Sequence, residues 1–175
     1  MNIVVLAGGN STERALSIVS GKGVCTALRE RNHRAVLLDA YFGRETLEED
    51  LFPAEYDVEK EAAWMEEKSR ELEAAMKERK EFFGPYVLDI CKKADIVFLA
   101  LPGANAEDGK VQSVLDLMGI PYTGSDPLSS AMAMDKGITK VIFEAAGVPT
   151  PKGVTLDKKT CTSRLADYGM DFPVI

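Results

Sequence analysis

One run constrains the fold more than any other: "DIVFLAL", residues 95–101, in which six of seven residues are apolar. An unbroken apolar strand needs cover on both faces, which is the environment of a parallel sheet between helices. "NIVVL" (2–6) and "RAVLLDA" (34–40) read as two further strands, and helical patterns lie between the three. From Asn10 to about Arg31, Leu16, Val19, Gly23 and Ala27 recur at helical spacing and predict a buried face. "KVQSVLDLMG" (110–119) repeats the pattern with Val111, Val114, Leu115 and Met118, and Gly119 is its stop. "IPYTG" is a short extended piece, and two helical stretches follow, "DPLSSAMAMD" and "KGITKVIFEAAG". The alternation predicts an α/β domain: a Rossmann-like open parallel sheet with helices on both faces. Its function would sit at the carboxyl ends of the strands. Gly8-Gly9, after the first strand, and Pro102-Gly103, after "DIVFLAL", should share that edge.

Residues 44–81 depart from this pattern, with 14 acidic against 7 basic side chains. Val58, Ala62, Met65, Leu72, Met76 and Phe83 form one stripe, interrupted by Ser69 and Arg79, and predict a single long inserted amphipathic helix. Glu66 with Arg70, and Glu73 with Lys77, stand four apart in the favourable orientation. Such a helix packs its stripe on the flank of the domain or pairs with a second subunit. "FFGPY" breaks it, and Pro85 opens the next helix.

At 175 residues and 46% hydrophobic the chain can bury one real core. A net charge of −7 argues against binding nucleic acid through basic patches. No apolar run reaches about 18 residues, which excludes a transmembrane helix, and the first residues lack the charged n-region of a signal peptide. Cys25, Cys91 and Cys161 are odd in number and in no metal spacing, so a cytoplasmic protein with reduced thiols is expected. His33, beside Arg34 at a strand entrance, reads as surface. The chain stops at "DFPVI", two residues into what reads as a strand opened by Pro173, so a fragment is expected.

"AGGNSTERALS" (7–17) carries neither the G-x-G-x-x-G dinucleotide fingerprint nor the G-K-[ST] ending of a phosphate loop. Asn10 and Glu13 have capping-box spacing, which would return the Glu13 carboxylate to the backbone of the cap. A second reading, not exclusive of the first, is that Glu13, beside a glycine turn at the sheet edge, holds the ammonium of a small ligand. "LPGANAEDGK" (101–110) places Glu107 and Asp108 before a helix, where acids complement the dipole. Ser125 or Asp126 caps the helix after it, and Asp135 caps the next. Lys136 falls at that helix start against the dipole preference, and pairing with an anionic ligand is one reason for a base there.

Together these pieces resemble the N-terminal part of D-alanine–D-alanine ligases, of the ATP-grasp superfamily. "LAGGNSTERALSIVSG" is similar to the family's G-G-x-S-x-E-R-E-V-S-x-x-S-G, and "LPGANAEDG" stands in the place of H-G-x-x-G-E-D-G. "LDLMGIPYTGSDPLSSAMAMDK" resembles L-x-x-x-G-x-P-Y-T-G-S-x-x-x-S-x-x-x-M-D-K, and "AAGVPTPKG" continues it. The resemblance implies a pre-ATP-grasp domain over 1–125, with 44–83 as a charged helical insertion, and linker helices opening a truncated grasp domain over 126–175. It implies that Glu13 orients the first D-alanine, with Gly8, Gly9, Gly103 and Glu107 around the substrate, and that Lys136 contacts the phosphates of ATP. The class activates one D-alanine carboxylate as an acyl phosphate, with ATP and Mg2+, and the amine of a second D-alanine attacks it to give the dipeptide for peptidoglycan. The magnesium ligands and most of the ATP site belong to domains absent from this chain, which alone is expected to be inactive. A homodimer is possible; no nucleic acid or membrane partner is implied. The second substrate, D-alanine, D-lactate or D-serine, is set by residues outside the chain. Pro102 replaces the family histidine, Ala106 a glycine, and Ala15-Leu16 the Glu-Val pair. Those departures keep a second reading open, a non-catalytic Rossmann-like module that binds a ligand or partner.

Overall fold

A computed structural model describes residues 1–159, 161, 164–172 and 174. The chain divides into two compact units, Met1–Ala131 and Met132–Ile175. In the first, strands β1 (Asn2–Ala7), β2 (Arg34–Asp39) and β3 (Ile96–Leu99) form a parallel sheet in the order β2-β1-β3. Val5 stands opposite Leu37 on one side and Phe98 on the other. Successive side chains of β1 point to opposite faces, so it feeds two cores. Val4 and Leu6 pack with Val36, Leu38, Val97, Ile90, Val111 and Leu115, while Ile3, Val5 and Ala7 pack with Ile18, Cys25, Leu37, Ala62 and Met65. Helices α1 (Arg14–Glu30) and α2 (Val58–Lys68) supply the cover on the second face. On the first face it comes from α4 (Val87–Cys91) and α5 (Lys110–Leu117). The expected open parallel sheet with helices on both faces is therefore observed.

The strand sealed on both faces is β1, not the 95–101 run. β3 covers only Ile96–Leu99 and buries Val97 alone, because among the described residues the sheet beyond it gains just one parallel bridge, Val97 to Tyr122 of "IPYTG".

The face expected for α1 is also corrected. Leu16 and Val19 are 57% and 62% exposed, and Gly23 and Ala27 are exposed too. The buried face is Arg14, Ser17, Ile18, Gly21 and Cys25. Gly21 sets it: a methyl on Gly21 would lie 2.6 Å from the Ala7 Cβ, so the helix lies on the strand at this point. A search for apolar spacing missed this face because three of its five members are Arg, Ser and Gly.

The long helix over the acidic segment is corrected as well. α2 ends at Lys68, a 3-10 turn covers Ser69–Glu71, and α3 (Leu72–Glu78) follows. Val58, Ala62 and Met65 are buried, whereas α3 buries nothing and Met76 is 43% exposed. The break falls at Ser69, where the apolar stripe is interrupted and the hydroxyl bonds the Met65 carbonyl. Glu73 pairs with Lys77 as expected, but the tightened turn pairs Lys68 with Glu71 in place of Glu66 with Arg70. The outer edge of β2 is sealed by side chains: the Tyr56 hydroxyl accepts from Leu37 N–H at 3.1 Å and donates to Leu37 O at 3.0 Å. Arg29 donates to Ala35 O at 2.7 Å.

α6 (Pro127–Met134) begins at Asp126, whose carboxylate accepts from Leu128 and Ser129 N–H. In the second unit α7 (Lys136–Ala145) is capped by Asp135, which accepts from Ile138 N–H at 3.0 Å, and Gly147 follows it at φ +69°. A 3-10 turn spans Leu165–Tyr168. Pro173 and Ile175, on which the terminal strand rests, lie outside the described residues.

Candidate functional site

The carboxyl ends of the three strands are stitched together by side chains of α1. Ser17 Oγ accepts from Gly8 N–H at 2.8 Å and donates to Ala100 O, joining the chain after β1 to the chain after β3. Arg14, 4% exposed, forms a bidentate pair with the fully buried Asp39 at the end of β2. Arg14 also donates to Gly9 O at 2.8 Å, to Met65 O at 3.0 Å and through Nε to Ser69 Oγ at 2.8 Å. Asp39 Oδ1 in turn accepts from Tyr41 and Phe42 N–H, and the guanidinium lies 5.1 Å from the Phe42 ring centroid. A buried charge left unpaired is expensive, and here both ions are paired and hydrogen-bonded throughout.

Gly8 and Gly9 adopt φ +76° and +73°. A methyl on Gly8 would lie 2.8 Å from both Arg14 Nη1 and Asp39 Oδ2, and one on Gly9 would lie 3.3 Å from Leu101 and 3.6 Å from Phe82. Both glycines are thus required by left-handed backbone and by internal packing. The two loops expected at one edge do meet there. Ser11 Oγ donates to Pro102 O at 3.0 Å, and a methyl on Gly103 would lie 3.1 Å from Glu13 Oε2.

Glu13 is exposed at the N-terminal end of α1, and its side chain makes no capping bond. The capping-box geometry with Asn10 is not formed: α1 starts at Arg14, and Glu13 is itself the capping residue. Its carboxylate takes no hydrogen bond or ion pair among the described residues, while its own N–H donates to Ser11 Oγ at 3.2 Å. Glu107 differs. Its Oε2 accepts from Gly103 N–H at 2.6 Å, and its N–H donates to Gly103 O at 3.0 Å, so it closes the 103–107 turn. Asp108 is held below the usual carboxylate range: burial opposes this, but Lys110 and the N–H groups of Asn105 and Lys110 outweigh it. Ala106 is buried and its carbonyl accepts from Gln112 at 2.7 Å.

Lys136 stands in the other unit as the first residue of α7, exposed and without an ion pair among the described residues. An ammonium and the free N–H groups of a helix start both favour an anion. Among the described residues no three His, Cys, Asp or Glu are grouped so that they could hold a metal ion. A cleft of about 390 Å³ lies away from the Glu13 turn, beside Trp64, Tyr56, Arg44 and Glu61. Its central polar groups are matched internally, Arg44 with Glu61 at 2.6 Å and Tyr56 with Leu37. Burial raises the Glu61 carboxyl above its ordinary value, with Arg44 opposing.

Pattern reading passed over Arg14, Asp39 and Ser17. The available signal was an aspartate closing an apolar strand and a charged residue inside a helical face.

Fold and edge together define a Rossmann-like α/β domain that presents one unpaired carboxylate between two glycine-bearing loops. The family model described as D-ala D-ala ligase N-terminus matches residues 2–125, and the chain belongs to that family. It is 37% identical over 182 residues to the D-alanine–D-alanine ligase of Lacticaseibacillus casei (strain BL23), covering 100% of this chain and 50% of that protein. Identity to the D-alanine–D-alanine ligase of Pediococcus pentosaceus is 41% over 168 residues, covering 91% and 47%. Among solved structures, the D-alanine–D-alanine ligase of Bacillus anthracis complexed with ATP gives a TM-score of 0.62 at 27% identity, over 97% of this chain and 46% of that one. The chain spans about half the length of the curated relatives it matches. Among the described residues no helix is long and apolar enough to cross a membrane.

Proposed function

We propose that this chain is the substrate-holding N-terminal portion of an ATP-dependent D-alanine–D-alanine ligase that makes the dipeptide for peptidoglycan in the cytoplasm. The observation that carries the reading is the Glu13 carboxylate, unengaged by the fold and poised over Gly103 in a member of this family. Glu13 holds the ammonium of the first D-alanine by a charge-assisted hydrogen bond, and Gly9 and Gly103 let the backbone come close. Gly8 and Glu107 support the two loops, since the Gly8 N–H and one Glu107 oxygen are occupied internally. Lys136 contacts the phosphates of ATP, which supplies the phosphoryl group that activates the first D-alanine as an acyl phosphate. Magnesium is held by polypeptide other than this chain, and residues 126–175 open the grasp domain.

Pro102 favours a second reading, a non-catalytic ligand-binding module, because a proline has neither a donor nor a titratable group where the family has histidine. The two separate in one assay. Phosphate release is followed with D-alanine, ATP and Mg2+ for this chain alone and for the chain continued through the reading frame beyond Ile175. D-alanine-dependent release only from the longer protein is expected. No release from it would favour the module, and release from the 175-residue chain alone would place the chemistry elsewhere than proposed.

A further inference from the structure

We infer that Ser69, in the break of the acidic segment, is a positioning residue for the Glu13 site and acts through Arg14. It rests on the reading of Glu13 as the partner of an ammonium ligand. Ser69 Oγ accepts from Arg14 Nε at 2.8 Å and donates to Met65 O at 2.9 Å, and Met65 O also accepts from Arg14 Nη2 at 3.0 Å. The remaining Arg14 donors reach Gly9 O and Asp39. The guanidinium therefore joins three elements that are distant in sequence: the 3-10 turn after α2, the glycine turn after β1 and the end of β2. Glu13 is the residue next to Arg14, at the start of the same helix.

A planar guanidinium satisfied on Nε and both Nη atoms has its orientation fixed. The first turn of α1 is held with it, and so is the direction in which Glu13 leaves the backbone. A free, exposed carboxylate has no contacts of its own to set that direction, so its aim comes from this supporting shell. Ser69 is where the apolar stripe of the segment is interrupted, and its hydroxyl is the acceptor that Arg14 Nε meets there. The acidic segment, which reads from sequence as an insertion, is in this way wired to the substrate edge.

The test compares wild type with Ser69→Ala, Ser69→Thr and Tyr56→Phe by 1H–15N spectra of the 175-residue chain, with thermal midpoints. Tyr56 seals the β2 edge and has no bond to Arg14, so Tyr56→Phe controls for lost stability. In Ser69→Ala the Arg14 Nε–H resonance should lose protection, and the amides of Gly9, Glu13 and Gly103 should shift. Ser69→Thr should restore both, and Tyr56→Phe should disturb neither. On titration with D-alanine, Ser69→Ala should weaken binding by roughly threefold to tenfold, with Thr restoring it. Unmoved Gly9 and Glu13 amides in Ser69→Ala overturn the inference whether or not D-alanine binds, and so does equal loss of binding in Tyr56→Phe. If wild type ignores D-alanine while Ser69→Ala still shifts the turn, the ligand reading fails and the positioning role stands.

Discussion

Glu13 and Arg14 are neighbours with opposite fates: one carboxylate exposed and without a partner among the described residues, one guanidinium buried with every donor nitrogen used. The difference predicts opposite phenotypes. Arg14→Met leaves Asp39 buried without its counter-ion and should cost about 3–5 kcal/mol, read as a fall in the urea midpoint. A loss below about 1 kcal/mol would mean that water reaches the Asp39 site, contrary to the burial seen. That the glycine turn was special could be read from "AGGNSTER". The physical reason could not, because it depends on Asp39, 31 residues beyond Gly8, packing beneath the turn. Whether Glu13 forms the capping box depends on where α1 begins, which its spacing from Asn10 does not fix.

Among the elements, strands and helices were readable wherever an apolar run or apolar spacing decides, as in β1, β2 and α5. Where a packed face uses polar or small residues, spacing pointed the wrong way: α1 turns Leu16 and Val19 outward because Gly21 and Ser17 must meet the sheet. The edge of β2 offers a test. Tyr56→Phe leaves Leu37 N–H without its acceptor, which should cost about 1–3 kcal/mol and increase aggregation at an unprotected strand edge. Burial also pushes the Tyr56 phenol above its ordinary value, with Glu61 adding to the effect. A folded-state value above the unfolded one means that stability is complete below pH 10 and declines as pH rises past it.

Across the whole domain, Cys25 and Cys91 lie in the two cores on opposite faces of the sheet, and burial pushes both thiols up to about 12 from 9.0. The unfolded chain ionises its thiols first, so stability is full below about pH 9 and falls between 9 and 12. At pH 8 a thiol reagent should label exposed Cys161 at once and the other two only at the rate of unfolding. Fast labelling of Cys25 or Cys91 would show that one face of the sheet is uncovered.

The central claim is that Glu13 binds the amino group of D-alanine, and the direct measurement is D-alanine binding together with the thermal midpoint, on wild type and Glu13→Gln of the complete ligase of which this chain is proposed to be the N-terminal portion. Because the Glu13 side chain makes no capping bond, the midpoint should hardly move. Replacing a charge-assisted hydrogen bond should weaken D-alanine binding by roughly tenfold to a hundredfold, with ATP affinity little changed. Unchanged D-alanine binding, or a large fall in midpoint with equal loss of both ligands, would contradict the account.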